Sequence, residues 1–105
     1  MGERTENVQN ANLGDILCEL GDTIRSRRGA DPTVSYTARL LSEKEDSLYK
    51  KLIEESTELV LALKDKDHDH IRYEAADLLY HLFVIFERSE ISAEELAGEL
   101  KARMK

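Results

Sequence analysis

The chain has 105 residues, of which 41% are hydrophobic and 35% charged, with a formal net charge of −7. That length suits one small domain, and the acidic balance argues against nucleic-acid binding, which needs a basic face. The lone Cys18 excludes an internal disulfide, and no Cys/His array suggests zinc. No apolar run is long enough to span a membrane and no charged-then-apolar leader opens the chain, so a reducing cytoplasm is the expected location and no membrane partner is expected.

Residues 1–12 are polar and aperiodic and read as a flexible N-terminal tail ahead of a domain over 13–105. Leu13, Ile16, Leu17, Leu20 and Ile24 fall at helical spacing and predict a first helix over 13–27. The stretch RGADPTVS, 28–35, holds a glycine and the only proline and reads as a loop. A helical pattern from Tyr36 to Leu41 breaks near Ser42–Asp46 and resumes over Ser47–Lys64. DKDHDH, 65–70, is turn-prone, with Asp67 placed to cap a helix over 68–89. Ser92 and Glu95 make a capping box for a last helix over 93–104. No strand-type alternation runs long enough to count, so the class is all-α. In the helix over 68–89, Leu78, Leu79, Leu82, Phe83, Val84, Ile85 and Phe86 cover nearly every direction around the axis. A helix apolar all round needs cover all round, which predicts a homodimer or higher homo-oligomer with this helix near the interface.

Against that background, Glu54, Glu55 and Glu58 in KKLIEESTELVLAL are out of place. Leu48, Leu52, Glu55, Leu59 and Ala62 follow a 4-3-4-3 stripe, so Glu55 stands where a core residue belongs. Glu74 and Asp77 on the next helix are also three apart, beside a seam of Ile71, Ala75, Leu78, Leu82 and Ile85. Counting from the short turn, Glu58 and Glu74 each lie seven residues away, about 10 Å at helical rise, and Glu55 and Asp77 ten residues away, about 15 Å. An antiparallel hairpin therefore sets Glu58 opposite Glu74 and Glu55 opposite Asp77. Four converging carboxylates repel one another unless protonated or metal-bound, and hard oxygen donors on facing helices suit Mg²⁺, or Mn²⁺ in its place.

An acidic protein that binds polyphosphate needs such a cation or a local basic cluster. Lys50 and Lys51 lie one turn before the acids, and Arg25, Arg27, Arg28 and Arg39 surround the first loop. Lys51 and Arg28, with Lys50, are the candidate phosphate contacts. Ser35, Tyr36 and Thr37 either contact a ligand or cap a helix. His81, one turn after Asp77, either backs that carboxylate or occupies an ordinary polar position. His68 and His70 belong to the turn and are expected to face water, and Cys18 is expected to be a packed thiol.

EExxE (Glu54, Glu55, Glu58), fifteen intervening residues and ExxD (Glu74, Asp77) together resemble the signature of the all-α nucleoside triphosphate pyrophosphatase, or MazG-like, superfamily. The contexts RRGADPTVSYTARLL, KKLIEESTELVLALK and YEAADLLYHLFV are similar to the phosphoribosyl-ATP pyrophosphatase family over about residues 13–103. The resemblance implies a four-to-five-helix bundle and Mg²⁺-dependent hydrolysis of phosphoribosyl-ATP to phosphoribosyl-AMP and pyrophosphate, an early step of histidine biosynthesis. It implies metal-ligand roles for Glu55, Glu58, Glu74 and Asp77, and phosphate contact for Lys51. Either Glu54 or Glu55 would take the proton of the attacking water. The chain departs from the family pattern at Ile53, where many members carry a small residue, often glycine. It lacks the metal-binding cysteines of the cyclohydrolase domain to which members are sometimes fused, so that activity is not expected. Two other readings are a housecleaning pyrophosphohydrolase acting on dUTP, dCTP or damaged nucleotides, and a non-enzymatic helical oligomerisation module.

Overall fold

The computed structural model describes residues 5–104, so residues 1–4 of the expected tail and Lys105 lie outside the described residues. Among the described residues the chain is all-α, with five helices: α1 (Leu13–Ser26), α2 (Tyr36–Leu41), α3 (Glu45–Asp65), α4 (His68–Arg88) and α5 (Ala93–Arg103). Helix count and class agree with the sequence reading. None of these helices is long and apolar enough to cross a membrane. The chain divides into two compact units, one of residues 43–82 with the N-terminal segment to Asn10, the other of residues 11–42 and 83–105.

The first unit is an α3–α4 hairpin. Helix α3 starts two residues earlier than its apolar pattern predicts, because Glu45 and Asp46 fill its first turn and acids there complement the helix dipole. It ends at Lys66, which adopts the left-handed conformation with φ 56° and closes the turn by donating its N–H to Leu63 O. Asp67 then caps α4 as expected, accepting the His70 N–H at 3.3 Å. Only Lys66 and Asp67 separate the two helices, which fixes the antiparallel register between them. The inward stripe of α3 is seated on Leu48 and Ala62, 2% and 0% exposed. On a face beside it, Tyr49, Ile53, Val60 and Leu63 are each at least 43% exposed. Ile53, the departure from the family pattern, is 67% exposed and so displaces nothing in the core.

In the second unit, Asn12 caps α1 by accepting the Asp15 N–H at 3.0 Å, and Ser92 caps α5 by accepting the Glu95 N–H at 3.0 Å. α1 packs against α5 where Gly21 lies opposite Ala93. Cys18 on α1 is half-buried, and its thiol is pushed up by desolvation and by the neighbouring Glu94 carboxylate. Ile24, Ala38, Leu40, Phe83, Val84 and Ile85 supply the core. The apolar end of α4 therefore buries Phe83–Ile85 within the chain itself. Arg25 and Arg28 converge on Glu87 near the end of α4, Arg28 Nε donating to Oε2 at 2.6 Å and Arg25 Nε to Oε1 at 3.4 Å. Arg28 also donates to the Glu87 carbonyl at 2.6 Å, which accepts the Glu90 N–H at 3.3 Å as well.

Candidate metal centre

Within the α3–α4 hairpin the carboxylates meet as the turn arithmetic predicts. One donor atom each from Glu55, Glu58 and Glu74 lie within 4.8 Å of one another, and so do those of Glu55, Asp77 and His81. Glu55 belongs to both groups, which makes it the centre of the cluster. Desolvation first, then a hydrogen bond with Asp77 and the charges of Asp77, Glu58 and Glu74, raise the Glu55 carboxyl to about 8. Without a cation, the cluster relieves its repulsion by holding a proton on Glu55 against Asp77.

Two oxygens in the cluster, Glu55 Oε2 and Glu74 Oε1, are buried without a hydrogen-bond partner. Leaving a buried acceptor unsatisfied is costly, and once ionised both carboxylates can only accept. A hard divalent cation answers both needs at once, supplying positive charge and accepting oxygen lone pairs. The donor set therefore fits such an ion.

Glu74 differs from expectation. It was expected beside the apolar seam of α4, yet it is only 2% exposed, more buried than Ile71, Ala75, Leu78 or Leu82. His70, Glu74, Asp77 and His81 follow their own 4-3-4 stripe, displaced by one residue from the apolar one, and helical spacing puts all four on one face. That polar stripe was readable in the sequence, but the apolar stripe beside it drew the reading. His70, expected to face water, instead sits 24% exposed with Nε2 3.1 Å from Glu74 Oε2. His68 faces water as expected, with its side chain 86% exposed. His81 is buried and hydrogen-bonds from Nδ1 to the Asp77 carbonyl at 2.9 Å. In the neutral ring that bond puts the proton on Nδ1 and leaves Nε2 with its lone pair.

The remaining candidates divide by location. Glu54 is exposed and stands in neither carboxylate group. It borders two clefts: one of about 270 Å³ with Glu43, Ser47, Lys50 and Lys51, the other with Ile53, Glu55, Thr57 and Glu58. A further cleft of about 330 Å³ opens on α4 at Asp77, walled by Arg72, Tyr73 and Tyr80 and by Thr5 and Val8 of the N-terminal segment. Sequence periodicity alone did not mark this cleft, because its tyrosines read as ordinary helix positions. Arg28, Ser35, Tyr36 and Thr37 belong to the second unit. There Arg28 is engaged with Glu87, Ser35 caps α2 through the Ala38 N–H at 3.1 Å, and the Tyr36 ring lies 4.9 Å from the Arg39 guanidinium. Of the two roles open to Ser35, the structure shows the cap.

Comparison with known proteins bears on the same residues. Residues 17–104 match the family model described as phosphoribosyl-ATP pyrophosphohydrolase. Proteins named phosphoribosyl-ATP pyrophosphatase are similar over most of the chain. The one from Nitrosomonas eutropha is 46% identical across 88 residues, 84% of this chain and 75% of the relative. That from Neisseria gonorrhoeae is 42% identical over 92 residues, 87% of this chain and 86% of its own length. A third, from Dechloromonas aromatica, is 44% identical over 89 residues, 85% and 82% of the two chains. A match over nearly the whole of both helices that carry the acids makes this chain a member of the phosphoribosyl-ATP pyrophosphohydrolase family.

Proposed function

We propose that the chain hydrolyses phosphoribosyl-ATP to phosphoribosyl-AMP and pyrophosphate, a step of histidine biosynthesis, with the α3–α4 carboxylates as its active centre. The observation that carries this reading is the pair of buried, unpartnered oxygens, Glu55 Oε2 and Glu74 Oε1, inside a four-carboxylate cluster. Glu55, Glu58, Glu74 and Asp77 would hold Mg²⁺, with Mn²⁺ as a substitute. When bound, the cation supplies neutralisation of the triphosphate and lowers the pKa of water.

The chain's own residues then have distinct tasks. Lys51, half-buried, and Lys50, exposed, stand one turn before the acids and receive the phosphates that leave as pyrophosphate. Glu54 Oε takes the proton of the attacking water, because Glu54 borders both the lysine cleft and the acid cleft and lies outside the groups that hold the cation. Glu55 fixes the spacing between the two layers of carboxylates. The cleft at Asp77 gives the nucleoside a flat apolar wall in Tyr73 and Tyr80, and its volume of about 330 Å³ is within the usual range for small-molecule sites.

A homodimer completes the reading. The α3 residues Tyr49, Ile53, Val60 and Leu63 form an exposed apolar stripe at helical spacing, beside the buried face. This moves the expected interface from α4, whose Phe83–Ile85 segment is already covered, to α3. The free Cys18 suits a reducing cytoplasm.

Incubating the protein with phosphoribosyl-ATP, dUTP and dCTP in turn, each with Mg²⁺, tests the substrate. The expected result is a kcat/KM for phosphoribosyl-ATP well above that for either free nucleotide. A preference for dUTP or dCTP would shift the assignment to a housecleaning pyrophosphohydrolase. Sedimentation equilibrium checks the dimer, and Ile53→Lys is expected to drive it toward monomer.

A further inference from the structure

Glu74 is the most buried acid of the cluster, yet only one of its oxygens is used inside the chain. Nε2 of His70 lies 3.1 Å from Oε2, whereas Oε1 is buried and unpartnered, and one oxygen of this carboxylate lies within 4.8 Å of donor atoms of Glu55 and Glu58. The last torsion of a glutamate is broad and roughly two-fold, so burial alone does not decide which oxygen faces the cluster. We propose that His70 is a positioning residue: by holding Oε2 from behind, it turns Glu74 Oε1 toward a divalent cation and thereby sets the affinity of the centre for that ion. The inference rests on the cation reading above.

Three features make His70 suited to the task. Its backbone is fixed by the Asp67 cap, which accepts its N–H at 3.3 Å, immediately after the two-residue turn that sets the register of the hairpin. The i,i+4 spacing of His70 and Glu74 brings ring and carboxylate together on one helix face. A carboxylate oxygen can only accept, so the ring donates from Nε2. A single ring N–H on Oε2 orients the carboxylate in this way while leaving Oε1 to the cation. Carboxylates and imidazoles that bind metals are commonly steadied by such outer partners, whose loss costs about 10–100-fold in affinity.

Mn²⁺ binding to the full-length, cation-free chain, followed by electron paramagnetic resonance alongside thermal unfolding, tests the proposal. His70→Leu is expected to weaken Mn²⁺ binding by about 10–100-fold while melting near wild type in the absence of cation. His70→Gln places an amide N–H at similar reach and is expected to retain most of the affinity. The proposal is overturned if His70→Leu binds Mn²⁺ as wild type does, or if His70→Gln falls as far as His70→Leu. It is also overturned if His70→Leu loses stability without cation to the same degree that it loses affinity, since the bond would then be structural. Wild-type protein that takes up no Mn²⁺ would instead remove the cation reading itself, a result distinct from any loss confined to the variants.

Discussion

Helix α4 carries two carboxylates of low exposure, and they are satisfied in opposite ways. Glu87 is 14% exposed in its side chain, and both of its oxygens meet arginines, Arg25 and Arg28. Glu74 is 2% exposed, takes one imidazole on Oε2 and leaves Oε1 without a partner, in a group with two other acids, Glu55 and Glu58. The chain thus possesses the means to neutralise a carboxylate fully and uses them at Glu87 but not at Glu74. A buried anion completed from within joins parts of a fold, whereas one left open by design awaits an external cation.

Substituting each acid by its amide gives the sharpest break in this comparison. Glu74→Gln is expected to lower the rate of phosphoribosyl-ATP hydrolysis by more than about 100-fold, since a ligand should matter more than its outer partners. Its cation-free melting temperature should hold or rise, because one repelling charge is gone. Glu87→Gln should do the reverse, leaving kcat within a small factor of wild type and lowering stability. Steady-state kinetics and thermal unfolding of the two variants side by side check both halves.

The next effect in size is on stability as a function of pH. The Glu55 carboxyl stands at about 8 in the folded chain against an ordinary value of 4.5. Between those values the folded state holds a proton that the unfolded state has released, so cation-free stability falls as pH rises from about 5 to 8 and levels off above. The separation sets a ceiling of about 5 kcal/mol, and solvent screening at this partly open site brings the expected loss to about 1–3 kcal/mol. Glu55→Gln should flatten the slope, and saturating Mg²⁺ should also flatten it by replacing the proton. Urea unfolding at several pH values, with and without Mg²⁺, measures this. The two smallest effects concern structural supports. Glu87→Gln should cost about 1 kcal/mol, given arginines that are half exposed or more. Lys66→Gly should stabilise by about 0.5 kcal/mol, by removing the strain of a left-handed lysine with φ 56°. Its activity should be unchanged, because the register set by the turn is kept.

The hairpin was the most legible part of the molecule. A two-residue turn and a constant rise per residue were enough to bring Glu58 to Glu74 and Glu55 to Asp77, because local geometry governs that pairing. What escaped the sequence reading has physical causes. Glu74 was judged from the apolar stripe next to it, so its burial and its bond to His70 were missed, although the 4-3-4 spacing of His70, Glu74, Asp77 and His81 was present. The engagement of Arg28 with Glu87 joins residues 59 apart in the chain, and no short-range pattern announces such a pair. Arg28 accordingly read as a phosphate ligand by charge alone. The early start of α3 was hidden for a different reason: Glu45 and Asp46 belong to the helix through its dipole and not through apolar periodicity.

The central claim is that the open oxygens of Glu55 and Glu74 belong to a cation-dependent hydrolase. Pyrophosphate release from phosphoribosyl-ATP, measured after divalent cations are stripped by chelation and again after Mg²⁺ is restored, tests it most directly. The account predicts no release above background in the stripped protein, full recovery on adding Mg²⁺ or Mn²⁺, and no recovery in Glu74→Gln. Release at the full rate in excess chelator, or recovery in Glu74→Gln equal to wild type, would contradict it.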